Sequence, residues 1–569
     1  MMSGGVKKLA QRFRKDEASN ASPKKESSKH DQASTTSETP KRKEPAANAP
    51  RVLVIGAGSR GTTYARCMTD DASAVVVAIA EPHDFKRQEF GRRYIWGDAE
   101  TPPEGSCFMD WREFVAYEKA RRKAPATDGD EKLSMGVDAA FVCVQDEQHR
   151  EVVEALAPFG IHIMCEKPLA TSLEDCLAVF KALRSAPKTV FGIGHVLRYS
   201  PHNLLLRKLL VQDKVIGDIL SVVHTEPVGY WHFAHSYVRG NWRRTDTSAP
   251  SLLTKSCHDI DILLWLMCSP PTLDHPSDAI ESRPHLPSTV TSTGSLQLYR
   301  KSRKPKKAGD ATNCLSCPIE EDCKFSAKKI YIGKIGLQGG NKGWPVKIVL
   351  PEIEDYGLGE AAEMAMVERL SEDYKDGQMS DQDIKKRNWF GRCVYESDND
   401  VCDEQVVTIT WDEDPLPIGS SSSGSDTLED PMCGRGSKQA TFHMVAHTNK
   451  ICDRYSHFYG TEAELEADSN VITVTDFSTG RVEKHYPSHE VLSHHGGGDN
   501  GLTRQFISAV DMVNNEGWEV ERAQREMIGC TVEECIRSHA MVFAAEDART
   551  GKKVIDWADW WEERVESML

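Results

Sequence analysis

The sequence predicts an α/β protein: a doubly wound parallel sheet at the N-terminal end, then a larger α/β domain built on a mixed, largely antiparallel sheet. Two observations carry this. Between residue 51 and about residue 193, short runs that are apolar throughout alternate with helix-like segments, as parallel strands buried on both faces require. Farther along, the strand-like runs alternate apolar and polar, which suits a sheet with one wet face.

The elements follow in order. Residues 1–50 are rich in Ser, Lys, Ala and Pro, lack a sustained apolar period, and read as a disordered basic tail. Val52-Leu53-Val54-Ile55 is the first buried strand. A glycine-rich turn leads into a helix over 62–68 and a second strand over 74–80. Later strands are read at 139–144, 161–165 and 190–193, separated by helices such as 148–157 and 173–183. The first domain is placed at 51–170 and the second at 171–550. Alternating strands of the second lie at 288–299, 405–411, 439–446 and 471–474, and helical periodicity returns over 502–549. Insertions are expected near 269–287, 300–390 and 412–437, the last around a run of four serines.

Composition bounds the function. A net charge of −16 argues against nucleic acid as the main partner. No run approaches the roughly 18 apolar residues of a membrane helix, so no membrane partner is expected. The start of the chain lacks the apolar core of a secretory leader. The 16 cysteines therefore read as reduced thiols in a cytoplasmic protein.

Gly56-Ala57-Gly58-Ser59-Arg60-Gly61 is a G-x-G-x-x-G placed between an apolar strand and a helix, and Glu81 ends the next strand twenty residues later. Each part has a task in a Rossmann-type dinucleotide site. Gly56 permits the tight turn, Gly58 lets backbone approach a pyrophosphate, and Gly61 allows helix to pack on strand. Ser59 and Arg60 open a helix whose free N–H groups suit phosphate. Glu81 can accept from ribose hydroxyls and favours NAD, since a carboxylate repels a 2′-phosphate. Arg60, His83 and Arg87 lie near enough in sequence to soften that repulsion, which keeps NADP open.

The strand read at 161–165 ends in Cys165-Glu166-Lys167-Pro168. A strand ending in Glu-Lys-Pro about 110 residues after the glycine motif resembles the glucose–fructose oxidoreductase, inositol dehydrogenase and MocA (Gfo/Idh/MocA) family. Gln145-Asp146 with His149, the segment from Gly194 to Tyr199, Ile216-Gly217, Cys257-His258-Asp259-Ile260-Asp261 and Gly460-Thr461-Glu462-Ala463-Glu464-Leu465 resemble further segments of it. The resemblance implies a two-domain NAD(P)-dependent oxidoreductase with nicotinamide in the cleft. It implies cofactor contacts from Gln145, His149, Glu166 and Lys167, with Lys167 near the reacting carbon and His258 as the acid/base group. It also implies a homo-oligomer, and a small-molecule sugar, cyclitol or polyol as substrate. Taken alone, Lys167 reads as a solvated strand end, and His258, flanked by Leu253, Ile260, Leu263 and Leu264, as a core histidine.

One departure stands out: many relatives carry aspartate four residues before the histidine, where this chain has Thr254, with Lys255 beside it. The proton relay then differs, or Lys255 meets substrate. Further substrate-side candidates are Tyr199, Trp231, His232, Arg239 and Trp242, in or near a stretch whose aromatic and donor groups suit a sugar and equally suit a core strand with a basic loop. The segment 493–499 reads as a pocket-closing loop or a plain helix entry, with Asp499 as N-cap. Cys314, Cys317 and Cys323 have the spacing of a structural zinc site. Cys393 or Cys402 is available as fourth ligand, and a metal there would replace a missing hydrophobic core; three reduced cysteines in a loop fit the same spacing. Three functions stay open: hydride transfer on a CH–OH group, an NAD-dependent glycosidase with transient redox, and a dinucleotide-binding regulator without catalysis.

Overall fold

Val52 to Ile55 are fully buried and form the centre of the first sheet of the computed structural model, which describes residues 44–123, 136–268, 283–375, 377–414, 435–487 and 494–569. The tail before residue 44, most of the 269–287 and 412–437 insertions, and Ser493 lie outside these residues. Strands β1 (Arg51–Ile55), β2 (Val75–Ala80), β3 (Cys107–Phe108), β4 (Ala139–Val142), β5 (His162–Cys165) and β6 (Phe191–Ile193) pair in parallel in the order β3-β2-β1-β4-β5-β6. This is the Rossmann order, which reverses direction between β1 and β4 and opens a crevice at the strands' carboxyl ends. The sixth strand takes the parallel sheet on past residue 170. The connecting helices are α1 (Ser59–Asp71), α2 (Asp84–Tyr94), α3 (Trp111–Lys123), α4 (His149–Leu156) and α5 (Leu173–Ser185).

A second sheet carries nine strands: β7 (Ile219–Pro227), β8 (Thr289–Ser295), β9 (Glu404–Trp411), β10 (Lys438–Val445), β11 (Tyr455–Gly460), β12 (Ala463–Asp468), β13 (Ile472–Asp476), β14 (Val482–His485) and β15 (Ile555–Asp556). Their order is β14-β13-β12-β11-β7-β10-β9-β8-β15, with β7 and β10 parallel and the other pairs antiparallel. The alternation expected of a sheet with one wet face is clear in β9, where every second residue is buried. The helix Val532–Gly551 packs on β8, on the helix Cys257–Met267 and on α5, and so joins the two sheets. Its start is fixed by Thr531 and Glu534, each side chain accepting from the other's backbone N–H.

The 300–390 insertion has a core of its own. Ile330, Tyr331, Leu337, Val346, Ile353, Met366 and Leu370 are buried together, with Trp231 packed against them. The expectation that a metal would stand in for a missing core there is therefore corrected. Lys347 reaches Glu89 of α2 (3.2 Å) and Glu352 stands 3.7 Å from His83, so the insertion also borders the first domain. No helix among the described residues is long and apolar enough to cross a membrane.

Candidate active site

The turn after β1 shows why its glycines sit where they do. Gly56 has φ +99°, and a Cβ there would lie 2.4 Å from the Cys143 carbonyl oxygen; one on Gly61 would lie 2.0 Å from that of Gly56. A Cβ on Gly58 would meet no protein atom within 4 Å, so this glycine faces open space. The turn thus offers a cradle, with the N-terminus of α1 behind it and no side chain capping it. A pyrophosphate fits such a cradle: its charge is met by free backbone N–H groups and the positive helix end. Ser59, exposed, opens the helix. Glu81 sits at the edge of the turn, accepting from the N–H groups of Ala57 (2.8 Å) and His83 (2.9 Å).

The cations expected to soften Glu81 have partners of their own. Arg60 turns inward to Glu166 (2.8 Å), Tyr64 (2.6 Å) and Asp499 (2.8 Å). Arg87 is taken up by the Glu81 carbonyl oxygen and by Asp84, and His83 looks towards Glu352. Asp499 is likewise not the N-cap: Gly497 is, and Asp499 lies in the helix's first turn, paired with Arg60 and His495. Against the cost of burial, Arg60 and Tyr64 hold Glu166 below the usual carboxylate range.

Lys167 projects from the end of β5 and donates from Nζ to the Thr254 carbonyl oxygen (2.9 Å). Thr254 lies four residues before His258, and the lysine ammonium is close enough to act on the His258 ring. The Trp242 ring lies 5.7 Å from the lysine Nζ, and its indole N–H donates to Asp146 (2.8 Å). The Lys167–Pro168 peptide is cis. Two histidines clamp the turn: His149 donates from Nδ1 to the Pro168 carbonyl (2.7 Å), and His539 accepts from the Leu169 N–H (2.8 Å). His149 is thus a support of the lysine turn, while Gln145, exposed, stays at its rim.

His258 is 6% exposed, and its Nδ1 has no hydrogen-bond partner. Burial, and after it the Lys167 ammonium, push its pKa well below the usual histidine value. His195 beside it, with ring centres 5.9 Å apart, is pushed down to about 3, by burial first and against the pull of Asp261. Both rings are therefore neutral at pH 7.

The match of residues 50–195 to a family model described as an oxidoreductase family with an NAD-binding Rossmann fold agrees with this geometry. That model is the one of the Gfo/Idh/MocA family, and residues 50–195 are similar to it. The chain is 32% identical over 131 residues to the 2,7-anhydro-N-acetylneuraminate hydratase of Escherichia coli (strain K12), a stretch covering 23% of this chain and 34% of that protein. It is 33% identical over 132 residues to the inositol 2-dehydrogenase of Paracoccus denitrificans, covering 23% and 35%. The chain thus spans about a third of the length of these relatives. An inositol dehydrogenase homologue from Azotobacter vinelandii, solved with NAD+, superposes over 90% of this chain and 99% of its own with TM-score 0.54 at 13% identity, a likeness of fold.

Around this crevice the substrate-side candidates divide. Trp242 and Lys255 join the Lys167 group. Lys255 is 3.0 Å from Glu226 and 3.1 Å from the Cys452 sulfur, which in turn lies 3.4 Å from His232. Trp231 packs on Trp344 of the insertion. Two candidates lie elsewhere. Tyr199 is 2% exposed in the core, close to Cys530 and Arg198. Arg239 is fully buried, donating to the carbonyls of Arg392 (2.7 Å) and Phe325 (2.8 Å). Its place in a basic stretch suggested solvent or substrate, but its Nε and Nη2 are turned to backbone carbonyls instead. Sequence reasoning gave no part to Glu226, Arg454, Asp259 or Cys452. Arg454 joins Glu226 (2.9 Å) to Asp259 (2.6 Å), and His224 adds a contact to Asp259 (3.0 Å). The Asp259 signal was present, one residue after His258; Glu226 and Arg454 come from strands far apart in the chain.

Proposed function

We propose that the chain is an NAD(P)-dependent oxidoreductase that moves a hydride between nicotinamide and a carbinol carbon of a sugar, cyclitol or related polyol. The observation that carries this reading is the convergence of Lys167 and His258 at the carboxyl ends of the Rossmann strands, held by the Thr254 carbonyl. The bound nicotinamide would supply the hydride chemistry. His258, neutral at pH 7, is suited to take the hydroxyl proton of an alcohol or return it to a carbonyl. The Lys167 ammonium steadies an oxygen on which negative charge develops. The flat face of Trp242 and the ammonium of Lys255 suit a ring rich in hydroxyls, with His232 and Trp231 farther along the wall. The place that aspartate takes in many relatives is filled by Thr254, whose backbone oxygen holds the lysine; the buried acids Glu166 and Asp146 lie close to that lysine, and Arg454 joins Glu226 to Asp259.

Glu81, with one oxygen on the Ala57 N–H of the turn and the other on the His83 N–H, favours NAD over NADP. Val223, Tyr455 and Tyr459 are exposed on β7 and β11, an apolar element on the sheet's outer face that suits a homo-oligomer of the kind the family resemblance implies.

The test begins with denaturing purified protein and identifying any released nucleotide. Fresh protein is then titrated with NADH and NADPH by fluorescence and assayed with a panel of polyols. Binding of NADH and formation of NADH on turnover support the proposal. Folded protein that binds neither nucleotide sinks it, and product formed without net NADH would select the transient-redox glycosidase reading instead.

A further inference from the structure

Four cysteines far from Lys167 in the chain surround one small cavity. Cys314, Cys317 and Cys323 come from the start of the insertion and Cys393 from its end; Arg239, Glu320, Phe325 and Val394 complete the lining. The two segments are pinned together by backbone bonds from Cys314 to Gly391 (2.8 Å) and from Cys393 to Thr312 (2.7 Å). Of the two fourth-ligand candidates, the fold selects Cys393; Cys402 lies elsewhere, at the carbonyl that accepts from Ser251. All four are free thiols.

The surroundings are those of bound sulfur. The Cys314 sulfur accepts from the Ala327 N–H (3.5 Å) and from the Arg239 guanidinium (3.4 Å). Such donors tune and hold metal-bound thiolates. The backbone of Phe325 and of Tyr395 stands beside Cys323 and Cys393, each two residues back in the chain. Arg239 is 0% exposed, and its Nη1 has no hydrogen-bond partner. A fully buried cation is costly unless an anion meets it, and four thiolates around a metal supply one.

Size separates the metals. A single zinc with Zn–S bonds of about 2.3 Å draws its four sulfurs to roughly 3.8 Å from each other. No three of these four sulfurs lie within 4.8 Å of one another; among the described residues the trio that does is His195, Cys535 and His539. In that trio both His539 nitrogens are already engaged, with Leu169 and Cys535. The four-cysteine ring is too open for one ion and suits a cluster in which each thiolate meets a different iron, or two share one. We propose that Cys314, Cys317, Cys323 and Cys393 ligate an iron–sulfur cluster, with Arg239 balancing its negative charge. This stands independently of the hydride-transfer reading.

The test uses the full chain, purified without oxygen and, if it emerges without metal, reconstituted with ferrous iron and sulfide. Two or four irons with equal acid-labile sulfide per chain, and a visible absorption band that dithionite bleaches, are expected. Cys317→Ser, at a partly exposed position, and Cys393→Ser should each lose most of that iron while NADH titration is unchanged; Cys402→Ser should keep it. One zinc per chain, iron without labile sulfide, or four thiols that stay metal-free after reconstitution would each overturn the proposal. Retention of full iron by both ligand variants would overturn it as well.

Discussion

At the scale of single residues, Lys167 and His258 are distinguished by what holds them. Lys167 lies outside the Gly56–Gly61 turn and is anchored by one carbonyl oxygen. Lys167→Ala should therefore bind NADH nearly as well as the parent while turnover falls by about 10²- to 10⁴-fold, the usual contribution of a positioned acid/base or charge-stabilising group. Fluorescence titration beside steady-state rates checks this, and surviving turnover would refute the assigned chemistry. His258 is kept neutral by burial and by the lysine. Its folded pKa is lowered, so the base form persists as pH falls through 6.5. In the oxidation direction kcat/KM should stay level from pH 8 to 6.5 and decline only below that. A decline centred at or above 6.5 would mean that another group carries the proton.

At the scale of elements, the first turn separates two glycines whose roles the sequence distinguished only by analogy. A methyl on Gly61 strikes the Gly56 carbonyl, whereas one on Gly58 points into open space. Gly61→Ala should cost roughly 1–3 kcal/mol of stability through the forced shift of helix from strand and weaken NADH binding with it. Gly58→Ala should leave the melting temperature unchanged and weaken NADH binding alone. Equal effects of both on stability would contradict the cradle. The same turn shows what was legible. Continuous apolar runs announced β1, β2, β4, β5 and β6 because parallel strands are buried on both faces. The two-residue β3 left no such trace, and α2 and α3, charged and weakly amphipathic, were passed over. In the second sheet β9 and β10 were readable from alternation. The hairpin β11–β12 was seen only through a resemblance, and β14, with three of its four residues exposed, was invisible. For the site, local motifs placed Gly56, Glu81 and Lys167. Pairings across hundreds of residues, such as Lys255 with Glu226 or Arg60 with Asp499, follow from the tertiary fold and have no local signature.

At the scale of the whole molecule, an unusual number of histidines are folded away in neutral form. His195 and His235 are pushed down to about 3 and His285 to about 4, with burial the first cause in each, and His232 and His258 are lowered by burial as well. The unfolded chain binds a proton at each of these near pH 6.5, while the folded protein does not. Stability is therefore fully present above about 6.5 and is lost as pH falls, by about 1.4 kcal/mol per pH unit for each histidine still neutral in the fold. A carboxylate of ordinary pKa titrates near 4, and burial raises the pKa of Asp146 and Glu147, which acts in the opposite sense, so the loss from 6 to 5 belongs to the histidines. Urea midpoints should be level between pH 7 and 8 and drop steeply from 6 to 5. His235 gives the control, because its ring is stacked on Phe390 and set edge-on to Trp344, a packing that phenylalanine can keep. The His235→Phe variant loses the bond to Tyr331, yet its stability should fall less steeply with acid, by about 1.4 kcal/mol per pH unit. A slope unchanged by that substitution would mean that His235 takes up its proton within the fold and that the acid sensitivity lies elsewhere.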